Sequence, residues 1–292
     1  MAGIYKNEKA RNLYLEFYDT ILKQWPVPYE SIFVDTTYGR IHLIHCGEKG
    51  KPPLFLIHGG GTNSLMWITM VEYFTDDFEV FAIDNPDQPN KSVGNKPFDK
   101  IDDYMMLLKE ILDGLLIPKA FFLGLSQGGW LSLNFPLYFP DRVLKTVVMC
   151  PMFGLYPTNT RFFKAFLRIA LFPTKKRITG FLSKLSYKNM AEDDLITVFV
   201  DMILKMLKCY KMPKTMMKHP VLSDDELEQI RCPIMVLIGE DEIIYDNPDD
   251  VLERVTKNIP QASVKKIPHC GHTIQYDQPD MASAYVKDFL LK

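Results

Sequence analysis

Gly124-Leu125-Ser126-Gln127-Gly128 follows directly on the apolar run Ala120-Phe121-Phe122-Leu123. A serine with glycine two residues to either side, between a strand and a helix, reads as a sharp turn with its hydroxyl at the end of a sheet. Glycine is required at both flanks because a side chain there collides with the neighbouring strand or helix. Ser126 is thus the candidate nucleophile. Such a group needs a base, an acid to orient that base, and donors for an oxyanion. Without them the pattern is only a glycine-rich turn.

The donors come from upstream. Pro53-Leu54-Phe55-Leu56-Ile57 has the apolar content of a buried strand and ends in His58-Gly59-Gly60-Gly61. Backbone amides in such a loop approach a substrate closely, and the two donors are assigned to the N–H of Gly60 and of Gln127. The base comes from downstream, where the strand-like Val264–Ile267 precedes Pro268-His269-Cys270-Gly271-His272 and two histidines compete. An acid follows the continuous apolar strand 233–238, at Gly239-Glu240-Asp241-Glu242. The remaining histidines read as structural. His42 and His45 are an odd number of residues apart on one strand and face opposite sides. His58 braces the glycine loop, and His219 sits in a basic, proline-flanked stretch.

Together these motifs resemble the α/β-hydrolase superfamily, of the capped carboxylesterase-like kind, over about residues 30–292. The order serine, acid, histidine is that superfamily's order. The resemblance implies His272 as the base, because it follows a glycine and precedes the terminal helix, and leaves His269 to the loop. It also implies Glu242 as the acid, three residues beyond Gly239, with Asp241 as the alternative. One departure stands out. Where relatives carry a glycine-bearing turn after the fourth main strand, this chain reads Asp84-Asn85-Pro86-Asp87-Gln88-Pro89-Asn90-Lys91-Ser92. Asn and Asp tolerate left-handed backbone, so a turn is still expected, with a differently shaped rim.

Alternating patterns place strands near 31–36, 41–46, 53–57, 78–83, 119–124, 143–149, 233–239 and 262–267. Helices are expected near 7–24, 64–74, 99–114, 127–139, 247–258 and 278–291. The implied fold is α/β, a mostly parallel eight-stranded sheet flanked by helices, with the site at the carboxyl ends of the strands. Composition changes at Pro151. Residues 151–222 hold 13 Lys and Arg against four Asp and Glu, and the net +9 leaves −11 on the remainder of a chain of total charge −2. They also hold ten of the Phe and Tyr residues and seven of the 15 Met. The expected organisation is therefore a core of 1–150 and 223–292 with a helical cap at 151–222. The apolar face of that cap would cover Ser126, and its basic face leaves contact with a membrane surface open.

At 292 residues and 47% apolar, the chain is long enough for one large core. A charge of −2 gives no hint of nucleic-acid binding, and no apolar stretch reaches membrane-spanning length. Five scattered cysteines and the lack of a signal-like apolar segment predict a reducing, cytoplasmic location. The chemistry expected is acyl transfer from a small-molecule ester to water, with no metal or organic cofactor. A lactonase, a carbon–carbon bond hydrolase, a perhydrolase and a non-catalytic ligand-binding member of the fold are the rivals. Dehalogenase and epoxide-hydrolase relatives carry Asp where this chain has Ser126. The sequence leaves the physiological substrate and the oligomeric state undetermined.

Overall fold

A computed structural model describes residues 3–188, 194–211 and 220–292. His219 lies outside the described residues. Helix α1 (Glu8–Leu22) precedes strands β1 (Tyr29–Thr36), β2 (Gly39–Cys46), β3 (Pro53–Ile57), β4 (Glu79–Ile83) and β5 (Val93–Gly94). Helix α2 (Ile101–Gly114), β6 (Ala120–Leu125), α3 (Gln127–Tyr138) and β7 (Val143–Met149) follow. After β7 come α4 (Thr160–Leu171), α5 (Lys175–Leu185), α6 (Asp194–Cys209) and the short α7 (Asp224–Glu228). The chain then returns to the sheet with β8 (Ile234–Gly239), α8 (Pro248–Asn258), β9 (Ser263–Ile267), α9 (Ile274–Asp277) and α10 (Pro279–Leu291).

The strands order as β1-β2-β4-β3-β6-β7-β8-β9, with β5 paired to β2 off this path. The β1–β2 and β2–β4 pairs are antiparallel, and every later neighbour is parallel. Among the described residues the sheet thus has nine strands and not eight. The extra one is the two-residue β5, paired to Gly39 and Arg40, too short for any alternation to betray it. A second correction concerns the helix expected at 64–74. Ser64–Thr69 and Val71–Tyr73 form two 3-10 turns instead. The branched residues Ile68, Thr69 and Val71 disfavour a regular α-helix there, and burial of Leu65, Met66, Trp67 and Val71 decides the path.

The central strands β3, β6, β7 and β8 are buried almost throughout, as apolar runs covered on both faces require. Because β3 to β9 run in one direction, the loops after β3, β4, β6, β7, β8 and β9 gather at one edge. All five cysteines are unpaired. No described helix is long and apolar enough to cross a membrane.

Candidate active site

Ser126 is the pivot of the turn from β6 into α3, with φ 56° and ψ −114°. A left-handed φ at a residue with a side chain is uncommon and marks a turn held by its surroundings. Its N–H donates to Met149 O (2.9 Å), while its carbonyl accepts from Trp130 N–H (2.9 Å) and Met152 N–H (3.1 Å). The flanking glycines are obligatory. A Cβ at Gly124 would stand 2.0 Å from Gly128 O, and one at Gly128 2.0 Å from Ile57 O.

The glycine loop after β3 lies against this turn. A Cβ at Gly59 would be 3.4 Å from Ser126 Cβ, and one at Gly60 would be 2.8 Å from Gln127 Oε1. Among the described residues, no hydrogen bond occupies the N–H of Gly60 or of Gln127, whereas Gly61 N–H donates to Gln88 Oε1 (3.0 Å). His58 is fully buried and ties two loops together. Its Nε2 accepts from Asn85 N–H (3.0 Å), which puts the ring proton on Nδ1, 2.8 Å from Gly59 O. Burial lowers its pKa and keeps the ring neutral.

The glycine-free segment after β4 forms its turn without any left-handed residue. Side chains hold it instead: Asn90 Nδ2 donates to Asn85 O (2.6 Å), Ser92 N–H to Asn90 Oδ1 (2.8 Å) and Ser92 Oγ to Asp84 O (2.7 Å). Tyr104 OH donates to the Asp87 carboxylate, and Tyr210 OH, just beyond α6, to Asp87 O (2.9 Å).

Of the two competing histidines, His272 meets the serine. Its Nε2 is 3.0 Å from Ser126 Oγ and its Nδ1 is 2.7 Å from Glu242 Oε2. Glu242 Oε1 accepts from Ile244 N–H (2.9 Å), and all three side chains are buried. Burial raises the Glu242 pKa, but the charge and hydrogen bond of His272, aided by the Cys150 thiol and the Ile244 amide, outweigh it. The carboxyl is held below its ordinary value. Asp241 is exposed, and its amide is spent on Cys270 O (2.8 Å). His269 is also exposed, with its ring packed on Tyr187.

Several neighbours of this relay carry no sequence signal. Cys150, at φ 39°, has its sulfur within 4.8 Å of the facing Glu242 and His272 atoms. The group has metal-ligand chemistry, but His272 and Glu242 are engaged with each other, and burial raises the thiol pKa so that it stays protonated. Described side chains from between β7 and β8 lie beside the site. Phe162 of α4 lies with its ring centroid 6.2 Å from that of His272, and the Met206 methyl of α6 would sit 3.4 Å from a Cβ on Gly61. Leu182, Phe199 and Ile203 line a cavity of about 50 Å³ together with Thr62, Met66 and Thr273.

The end of α5 is bound to the histidine loop itself. Leu185 O accepts from His272 N–H (2.6 Å) and Thr273 N–H (3.2 Å). The buried Asp277 carboxylate accepts from Gly271 N–H (2.9 Å), Tyr187 N–H (3.0 Å), Lys188 N–H (3.2 Å), Thr273 Oγ1 (3.3 Å) and Ser186 Oγ. A second relay joins β1 and β2 to the start of the loop after β4. His42 Nδ1 is 2.8 Å from Asp84 Oδ2 and its Nε2 is 3.0 Å from Ser31 Oγ. His45, facing the other way, pairs with Glu79 (2.9 Å).

With the sheet order and this turn in view, the class of protein is defined by comparison. Residues 54–283 match the model of the alpha/beta hydrolase family, and the chain belongs to that family. Among its relatives is the uncharacterized carboxylesterase nap of Bacillus subtilis (strain 168), 29% identical over 285 residues, covering 94% of this chain and 91% of that one. Carboxylesterase YbfK of the same organism is 27% identical, covering 95% and 93%. The crystal structure of naproxen esterase (carboxylesterase NP) from Bacillus subtilis superposes with a TM-score of 0.87 at 27% identity, covering 94% of this chain and 96% of that chain.

Proposed function

We propose that the protein hydrolyses carboxylic esters through an acyl-enzyme on Ser126, with His272 as general base, Glu242 as the triad acid, and the N–H groups of Gly60 and Gln127 as the oxyanion hole. The observation that carries this reading is the unbroken relay from Ser126 Oγ through His272 to Glu242, beside two amides that have no hydrogen bond among the described residues. The carboxylesterase names of its relatives point to the same substrate class.

With Nδ1–H donating to Glu242, His272 Nε2 is the free base that takes the serine proton as Oγ attacks the ester carbonyl. The oxyanion that forms rests on the Gly60 and Gln127 amides, each worth about 10²–10³ in rate. His272 then returns the proton to the departing alcohol. Water attacks the acyl-enzyme by the same path in reverse. Glu242, held ionised by its surroundings, stabilises the imidazolium in both steps. No metal or organic cofactor enters this scheme.

Residues 151–222 act as a cap over that site. Phe162 beside His272 and Met206 beside Gly61 are its walls, which makes this segment the source of acyl-chain preference. The test is hydrolysis of chromogenic esters of increasing acyl length, with lactones and Ser126→Ala alongside. Turnover of esters over lactones that vanishes in Ser126→Ala is the expected result, and lactone turnover that exceeds it would move the protein to a rival class.

A further inference from the structure

The outer side of the insertion has a composition that ester chemistry does not require. Residues 151–188 contain eight Lys and Arg and no Asp or Glu. Helix α4 is two-sided: Phe162 faces His272 and Ile169 is buried, while Leu167, Leu171 and Phe172 are 56%, 63% and 60% exposed. Leu167 and Leu171 are four residues apart and share one stripe, which Phe172 extends into the turn toward α5. Around them stand Arg161, Lys164, Arg168, Lys176 and Arg177, all exposed, and none has a carboxylate partner among the described residues. Lys175 alone in this group is paired, with Asp201. The Arg177 guanidinium lies over the Phe172 ring, leaving its charge at the rim of the apolar patch.

We infer that this face of α4 and the α4–α5 turn docks on an anionic lipid bilayer. Large apolar side chains ringed by cations that lack a carboxylate partner among the described residues match the boundary between acyl chains and negatively charged headgroups. A nucleic acid or an acidic protein would use the cations but leave Leu167, Leu171 and Phe172 without a partner. The opposite side of the same helix carries Phe162 next to His272, so a docked molecule holds its site a single helix thickness from the surface. The inference does not depend on the ester reading, because docking is measured without turnover.

The experiment is flotation of the whole protein with phosphatidylcholine vesicles, with and without phosphatidylglycerol. The bound fraction should rise roughly tenfold with the anionic lipid and fall as salt is raised. Leu171→Ser with Phe172→Ser should abolish binding to both kinds of vesicle. Lys176→Glu with Arg177→Glu should lose the preference for anionic lipid, at roughly fivefold in partitioning per charge removed. Circular dichroism and hydrolysis of a water-soluble short ester serve as folding controls. Equal flotation with neutral and anionic vesicles, or wild-type binding by the Leu171/Phe172 variant, overturns the inference. Heparin binding that is insensitive to the apolar variant would point instead to an acidic macromolecule.

Discussion

Ser126–His272–Glu242 and Ser31–His42–Asp84 have nearly the same spacings: 3.0 and 2.7 Å in the first, 3.0 and 2.8 Å in the second. Their surroundings differ. Ser31 sits within the β1–β2 ladder, opposite Ile44, in the regular extended backbone of a strand. Ser126 stands at a left-handed pivot between strand and helix, beside two amides that have no hydrogen bond among the described residues. The carboxylates differ too. Asp84 also accepts from Ser64 N–H (3.0 Å), Ser64 Oγ (2.6 Å) and Lys91 N–H (3.4 Å), whereas Glu242 serves His272 and Ile244. A serine–histidine–carboxylate relay is therefore an ordinary way to satisfy buried polar groups. On the proposed mechanism, the backbone around the serine is what separates a nucleophile from a structural hydroxyl.

The comparison breaks most readily at the serines. Ser126→Ala should lower kcat by about 10⁴–10⁶-fold, and Ser31→Ala should leave it within about twofold. A fluorophosphonate probe should label Ser126 alone, and mass spectrometry finding label on Ser31 would end the distinction. At the carboxylates, Glu242→Gln should cost on the order of 10⁴ in kcat, with Asp241→Asn near normal. His272→Ala should be at least as damaging, with His269→Ala mild. Steady-state kinetics on one short ester checks all four.

Asp84 should show itself in stability rather than rate. Burial raises its pKa, but the hydrogen bond and charge of His42, with Ser64, outweigh this and hold it below the ordinary carboxylate value. A depressed folded pKa contributes stability above the unfolded value of about 4, and that stability is lost as pH falls through the lower folded value. Asp84→Asn should cost about 3–5 kcal/mol at neutral pH and flatten the acid limb of stability. Thermal melts of both proteins from neutral to acid pH measure it, and parallel curves would refute the assignment. The smallest effect belongs to the walls that Ser126 has and Ser31 lacks. Phe162→Ala or Met206→Ala should shift acyl-length preference by about tenfold while short-ester turnover persists. An unchanged profile in both would put the acyl pocket elsewhere.

The legible parts were those with local causes. The apolar runs of β3, β6, β7 and β8 mark strands because both faces are covered, and Gly124 and Gly128 mark the turn because no larger residue fits. Glu242 could be reached by counting from Gly239, but only the folded loop turns Asp241 outward. What stayed hidden depends on pairing through space. The relay at His42 joins residues 11 and 42 positions away, and Cys150 and Asp277 reach the site from segments with no pattern of their own. β5 and the 3-10 turns of 64–73 are too short for periodicity to speak.

The attachment of α5 to the histidine loop has a mechanical consequence. Leu185 O and the Asp277 carboxylate tie the end of α5 and the His272 loop to the same fastening. In the proposed mechanism, moving α5 away from the histidine loop would pull on the peptide that aims His272, so uncovering Ser126 by that route would also disarm it. In that mechanism, an uncovered Ser126 and a fully activated one become mutually exclusive states of one joint.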